Sequence, residues 1–219
     1  MTEEVGAGVG LRRDADGLAL VGEGMVLRAD FSRLLPRLRS DRLSRELLVR
    51  AARVRGVEAP TAVDATAGLG EDSLLLAAAG FSVRLYEKDQ VIAALLRDAL
   101  ERAAALPELT DIVVRMELLE EDSVEALPHL GFSPDVVLLD PMFPERTKSA
   151  AVKKKFQLLH HLERPCENEG ELLDAALAAC PRKIVIKRPP KGPVLAGVKP
   201  SYQVTGKAVR YDVIVPPRG

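Results

Sequence analysis

What is scarce in this chain narrows its chemistry first. Two cysteines, Cys166 and Cys180, occur without Cys-x-x-Cys spacing, and only three histidines are found among 219 residues. That composition excludes a disulfide framework and leaves no zinc ligand set, so no metal is expected. No stretch approaches the ~20 apolar residues of a membrane span, so no membrane partner is expected either. The first thirty residues carry Glu3, Glu4, Asp14 and Asp16 among glycines instead of a continuous apolar run. No signal peptide is therefore expected, and a cytoplasmic protein is. Net charge is lacking as well, since 31 basic residues face 32 acidic ones. Any affinity for nucleic acid must come from local clusters of cations and not from the total field. There is no internal repeat and no low-complexity tract.

What is present suffices for one good core, because 47% of the residues are apolar. From Thr61 onward short β-branched runs alternate with amphipathic stretches, the pattern of an α/β protein with a parallel sheet covered by helices. The expected strands are "TAVDAT", "FSVRLYE", "DIVVRM", "DVVLLD" and "KIVIKR". Between them "DSLLLAAAG" ends on Gly80, a helix C-cap signal, and "VIAALLRDALERA" places Val91, Ile92, Leu95, Leu96, Ala99 and Leu100 on one helical face. The tail "SYQVTGKAVRYDVIV" breaks the alternation with two runs around a short Gly-containing turn, so the sheet is expected to finish in an antiparallel hairpin. Residues 1–58 read as an N-terminal extension with a helix over residues 41–54, and residues 59–219 as the main domain.

The segment "VDATAGLGED" lies where the first of these strands meets its helix. Gly68 and Gly70 let the backbone turn tightly and approach a ligand at a helix N-terminus. A dinucleotide fingerprint would want glycine where Ser73 stands, and a P-loop would want Gly-Lys-Ser/Thr where the chain has Gly70-Glu71-Asp72. Asp64, Glu71 and Asp72 would repel a pyrophosphate but suit a ligand bearing an ammonium and a sulfonium, such as S-adenosylmethionine. Glu87, ending the second strand, is positioned to accept from ribose hydroxyls. Asp122 and Ser123, after the third, could hold an adenine amino group. Any one of these acids could equally be a solvated loop charge or a helix cap. Their recurrence after three successive strands favours a cofactor site.

The fourth strand runs into "DPMFPERTKSAAVKKK". Asp140-Pro141 followed by Phe143 resembles the Asp/Asn-Pro-Pro-aromatic motif of methyltransferases acting on exocyclic amines. Such an amine is a poor nucleophile because its lone pair is delocalised into the base. A carboxylate and a backbone carbonyl accepting its two N–H bonds favour the pyramidal, nucleophilic form, a task suited to Asp140 and the Pro141 carbonyl. Phe143 offers a face for an unstacked base. Arg146, Lys148, Lys153, Lys154 and Lys155, then Lys187 and Arg188 at the carboxyl end of the fifth strand, form two basic clusters that could grip phosphates, although a lysine run is more often a solvated face.

Together "VDATAGLGEDSLLLAAAGFSVRLYEKDQVIAALL", "VVLLDPMFPERTKSAAVKKK" and "KRPP…YQVTGKAVRYDVIV" resemble the ribosomal RNA small subunit methyltransferase J family over roughly residues 60–215. The resemblance implies a Rossmann-like class I methyltransferase, with a mainly parallel seven-stranded sheet ending in an antiparallel hairpin. It further implies S-adenosylmethionine as cofactor and N2 of a guanine in 16S ribosomal RNA as acceptor, as naked RNA or in the small subunit. By resemblance, cofactor contacts fall at Glu71, Asp72, Glu87, Lys88, Asp122, Ser123 and Asp140. Glu71 departs from an Arg-Asp pair in the family, and the N-terminal part is shorter. The residues alone leave two other readings open: a methyltransferase for another amine, in DNA adenine, transfer RNA or protein glutamine, and a catalytically silent RNA-binding or assembly factor.

Overall fold

A computed structural model describes residues 2–6, 8–141 and 168–217. Two sheets are built among them. Residues 2–27 form an antiparallel meander of β1 (Thr2–Gly6), β2 (Val9–Asp14), β3 (Gly17–Gly22) and β4 (Met25–Leu27). Sequence reading did not anticipate this sheet, because its strands are short and glycine-rich. Its clearest local signal is Glu23-Gly24, a two-residue hairpin loop with both φ values positive, at 51° and 72°.

Three short helices follow: α1 (Leu35–Leu38), α2 (Ser40–Leu43) and α3 (Leu47–Ala52). The single helix expected over residues 41–54 is broken at Glu46, whose backbone is extended (φ −58°, ψ 129°). Arg37 holds that residue with a forked pair of hydrogen bonds, both 2.8 Å, to the Glu46 carboxylate.

The larger sheet contains β5 (Thr61–Asp64), β6 (Ser82–Tyr86), β7 (Met116–Leu119), β8 (Val136–Leu139), β9 (Lys183–Arg188), β10 (Tyr202–Thr205) and β11 (Arg210–Ile214). Its order is β10-β11-β9-β8-β5-β6-β7, with β5 to β9 parallel and β10–β11 joined as an antiparallel hairpin. Covered on both faces, β8 reads Val-Val-Leu-Leu with every residue buried. Chain order reverses between β5 and β8, and a crevice at that point is where doubly wound sheets bind ligands.

The helices α4 (Glu71–Ala78), α5 (Gln90–Ala104), α6 (Pro107–Val113), α7 (Ser123–Ala126) and α8 (Glu169–Ala178) cross between strands. The run "DIVVRM" is not a strand as expected: α6 takes Asp111 to Val113, and β7 begins at Met116. Pro107 occupies the first turn of α6, and Leu109 and Val113, four apart, bury one face, so helical spacing overrides the β-branched composition.

The small sheet is welded to the large one through α5. Val9, Leu20 and Leu27 pack on Leu95. Beside them Asp98, only 3% exposed, accepts from Arg13 (2.7 Å), the Leu18 amide (3.0 Å) and Arg102 (2.7 Å). Burial raises the pKa of this carboxyl, but the Arg102 and Leu18 hydrogen bonds and the two arginine charges outweigh it, and the net shift is downward.

Candidate active site at the carboxyl ends of the strands

The turn after β5 is held by its own backbone. The Ala67 amide donates to the Tyr86 carbonyl (3.1 Å), and the Gly70 amide to the Ala67 carbonyl (2.8 Å). Gly68 and Gly70 have φ values of 53° and 76°, which a side chain rarely tolerates. At Gly70 a Cβ would also lie 2.6 Å from Leu96 Cδ1 and 3.1 Å from the Phe31 ring, so glycine is required there twice over. Glu87, at the end of β6, closes the turn: its carboxylate accepts from the Gly68 amide and from the Asp89 amide, each at 2.9 Å. Burial raises the Glu87 pKa, partly offset by those two bonds.

Asp64 is buried at the end of β5, accepting from the Ser73 hydroxyl (2.6 Å) and the Thr66 amide (3.1 Å). Loss of solvent pushes its carboxyl up to about 7 despite those bonds, and the charges of Asp72 and Asp140 add to the rise. It faces inward, and both of its oxygens already serve the loop. Sequence reading missed Thr66, although it stands in the quoted turn. Its hydroxyl accepts from the Asp140 amide at 2.6 Å and so ties the end of β8 to the glycine turn.

Asp140 and Asp72 converge on one cation. Lys187 Nζ lies 2.8 Å from Asp140 and 2.7 Å from Asp72. Burial opposes the Lys187 charge, but the two carboxylates outweigh it and the net shift is strongly upward. Asp140 is itself raised by burial, with Lys187 pulling it back. Tyr211, buried on β11, has its phenol pushed up by burial and by Asp72, and stays neutral and protonated. Pro141 is buried directly after Asp140.

Several sequence-predicted residues therefore sit in different surroundings from those expected. Lys187 is bound to two acids inside the crevice instead of facing phosphates. Arg188 is 1% exposed, donating to Glu169 (3.1 Å) and the Pro193 carbonyl (3.0 Å), because its strand end is covered by α8 and the following loop. Burial keeps Arg188 from solvent, whereas Lys187 is partly exposed with two carboxylate partners. Asp122 caps α7 by accepting from the Val124 amide (2.9 Å) and pairs with Lys88 at 3.1 Å, while Ser123 is buried beside it. Glu71 is exposed in the first turn of α4. Phe143, Arg146, Lys148, Lys153, Lys154 and Lys155 lie outside the described residues. Among the described residues no group of three or more His, Cys, Asp or Glu could hold a metal, and no helix is long and apolar enough to cross a membrane.

The donor set fits a cationic, ribose-bearing cofactor. Two carboxylates already hold one ammonium group, and each Glu87 oxygen accepts one protein bond, leaving lone pairs for hydroxyl donors. A phosphate would face more carboxylates than cations here, and Lys187 and Lys88 are already paired with acids.

Comparison with known proteins agrees with this chemistry. A family model for SAM-dependent methyltransferases matches residues 5–216. A ribosomal RNA small subunit methyltransferase J from Thioalkalivibrio sulfidiphilus is 45% identical over 175 residues, 79% of this chain and 69% of that protein. The protein of that name from Neisseria meningitidis serogroup C is 40% identical over 206 residues, 93% and 82% of the two chains. The crystal structure of a SAM-dependent methyltransferase from Neisseria gonorrhoeae superposes with a TM-score of 0.76 at 31% identity, covering 99% of this chain and 86% of the other. The chain is thus a SAM-dependent methyltransferase and belongs to the ribosomal RNA small subunit methyltransferase J family.

Proposed function

We propose that this enzyme methylates the exocyclic N2 amine of a guanine in 16S ribosomal RNA, as naked RNA or within the small subunit, in the cytoplasm. In this reading residues 59–219 form the methyltransferase domain and residues 1–58 an appended N-terminal part. Asp140 supports it most. Its backbone is fixed by Thr66 and its carboxylate by Lys187, one strand away from the glycine turn.

S-adenosylmethionine supplies an electrophilic methyl group. Gly68, Gly70, Glu71, Asp72 and Glu87, with Lys88, Asp122 and Ser123 on the next loop, hold it, and Asp64 sets the turn from beneath. Asp140 and the Pro141 carbonyl accept the two N–H bonds of the guanine amine, localising its lone pair for attack. Phe143 stacks on the base, and Arg146, Lys148 and Lys153 to Lys155 meet the adjoining phosphates. Once the amine is alkylated it becomes cationic, and the nearby Asp140 carboxylate, whose proton affinity burial has raised, is suited to take its proton. Positioning supplies much of the rate, because in-line transfer between two bound groups needs no further catalyst.

Radiolabelled methyl transfer to small-subunit ribosomal RNA, naked and as assembled subunits, followed by nucleoside analysis, tests the acceptor. N2-methylguanosine is expected; label on another base would discard this acceptor while keeping the enzyme class. Asp140→Asn should lower kcat by about 100-fold or more, in the range seen when a transition-state hydrogen-bond partner is lost. Cofactor affinity by calorimetry should change much less. Equal loss of binding and turnover would place Asp140 with the cofactor alone.

A further inference from the structure

With Lys187 and Arg188 engaged inside the protein, any RNA phosphates beyond those met by Arg146, Lys148 and Lys153 to Lys155 need other partners. Residues 33–55 carry eight arginines against two acids, Asp41 and Glu46, in a chain whose formal net charge is −1. The apolar residues of this segment, Leu34, Leu43, Leu48, Ala51 and Ala52, are buried, which turns the arginines outward. All eight are exposed except Arg37, which is half-buried in its pair with Glu46. Arg33 pairs with Asp30 and Arg39 with Asp41, the latter at 3.4 Å between two well-exposed side chains. No ion pair holds Arg42 or Arg45 among the described residues.

One end of this segment lies at the crevice. Phe31 lies against Gly70 at the start of α4, and Leu47 lies against Gly206 in the turn between β10 and β11, on the carboxyl-end side of β9. Arg37 is close enough to Asp72 for the carboxylate charge to act on it. The other end is far from it: Lys183, at the opposite end of β9, donates to the carbonyls of Ala51 (3.3 Å) and Arg53 (2.8 Å). Arg39, Arg42 and Arg45 fall in the stretch between Arg37 and Leu47, the two points at the crevice end, and the chain then descends to the far edge at Ala51–Arg53. Lys207, exposed in the same turn as Gly206, adds a cation to the rim.

We propose that Arg39, Arg42, Arg45 and Lys207 form a second surface, on the N-terminal side of the crevice, that holds further phosphates of the RNA strand carrying the target base. This rests on the acceptor reading above: a base in the crevice brings its own backbone to the crevice rim. Arginine suits the task because its planar fork grips phosphate oxygens bidentately, and weak or absent intramolecular pairing leaves those forks available. Arg42 lies within α2 (Ser40–Leu43), Arg39 is its N-cap and Arg45 lies two residues past its end, so the three forks leave one short stretch of chain.

The test compares Arg42→Glu/Arg45→Glu with Arg53→Glu/Arg55→Glu in the full chain, using small-subunit ribosomal RNA at several salt concentrations. For the rim pair, RNA affinity should fall about tenfold or more at low salt, with the slope of log affinity against log salt shallower by about 1.4–1.8, the loss of two phosphate contacts. The KM for RNA should rise in step, with kcat and cofactor affinity within about twofold of the parent, since the exposed pair contributes only backbone positioning. The far-edge pair should change affinity less than about threefold. Equal losses in both pairs, or unchanged affinity in the rim pair, would overturn the surface. So would a loss confined to assembled subunits and absent with naked RNA, which would assign the rim to a protein partner. If the rim variant binds no cofactor it is misfolded, and Arg42→Gln/Arg45→Gln carries the same test. A parent enzyme that methylates no RNA overturns the acceptor reading and the surface with it; a parent that does, beside an unaffected rim variant, overturns the surface alone.

Discussion

At the scale of single residues, the site is a set of carboxylates whose surroundings differ, with Asp64, Glu87 and Asp140 raised by burial and Asp140 pulled back by Lys187. Lys187 is the central neighbour. Replacing it with Met leaves Asp72 and Asp140 without their shared cation, and Asp140, already raised by burial, rises further. A protonated Asp140 accepts one N–H bond less well, so methyl transfer is lost as pH falls through its pKa. Lys187→Met should therefore move the acidic limb of the kcat profile to higher pH, whereas Lys187→Arg should largely restore it; a limb that stays put in both would remove Lys187 from the chemistry. Asp64 gives a stability prediction of opposite sense to the usual acid. Its folded value is about 7 against 3.8 for the free group, so the folded protein binds the proton more tightly and loses stability as pH rises between those values. Asp64→Asn keeps an acceptor for Thr66 and Ser73 but has no proton to lose. Its melting temperature relative to the parent should climb from about pH 4 to pH 7 and level off above; a difference independent of pH would mean that the buried acid does not titrate in that window.

At the scale of elements, the decisive joint is between α5 and the N-terminal sheet. Asp98 is the polar centre of a contact that is otherwise apolar, linking Arg13 on β2, the Leu18 amide on β3 and Arg102 one turn along α5. Asp98→Asn should cost about 1–3 kcal/mol in denaturant unfolding, because the amide pairs less well with two cations and one buried amide loses a charged acceptor. With the folded pKa depressed, that contribution is present above the unfolded value of 3.8 and disappears as pH falls through the folded one. The gap between variant and parent should accordingly close in acid, and a gap constant down to about pH 3 would show that the ionic bonds contribute nothing. Elements were unevenly legible in the sequence. Continuous apolar runs such as "VVLLD" and "KIVIKR" marked central strands because both faces are covered. The region from Pro107 to Leu119 was misread because Ile112 and Val113 look strand-like, while the helix is decided by Leu109 and Val113 docking on the core.

At the scale of the whole molecule, the appended N-terminal part and the methyltransferase sheet share one interface, with Leu95 buried beneath Val9, Leu20 and Leu27. Removing residues 1–27 should bare that patch and leave the Asp98 carboxylate with Arg102 alone, lowering the melting temperature by about 2–4 °C for each kcal/mol lost or leaving an insoluble chain. An unchanged melting temperature would mean that the small sheet is not part of the cooperative unit. Much of the molecule's chemistry was determined by sequence alone. The alternation of strand and helix, the two glycines with no lysine after them, the acids after successive strands and the Asp140–Pro141 motif are local patterns, and local patterns survive being read in one dimension. The glycine turn states its own requirement through positive φ, and the acids in the loop disfavour a pyrophosphate on charge alone. What only the tertiary structure decided are the long-range pairings: Lys187 drawn between acids 115 and 47 residues away, Arg188 buried under α8, Thr66 fastening Asp140, and an arginine-rich segment brought to the crevice rim. A cation reads the same in sequence whether it meets a phosphate or a carboxylate. Which one it meets depends on how strands distant in the chain are set side by side.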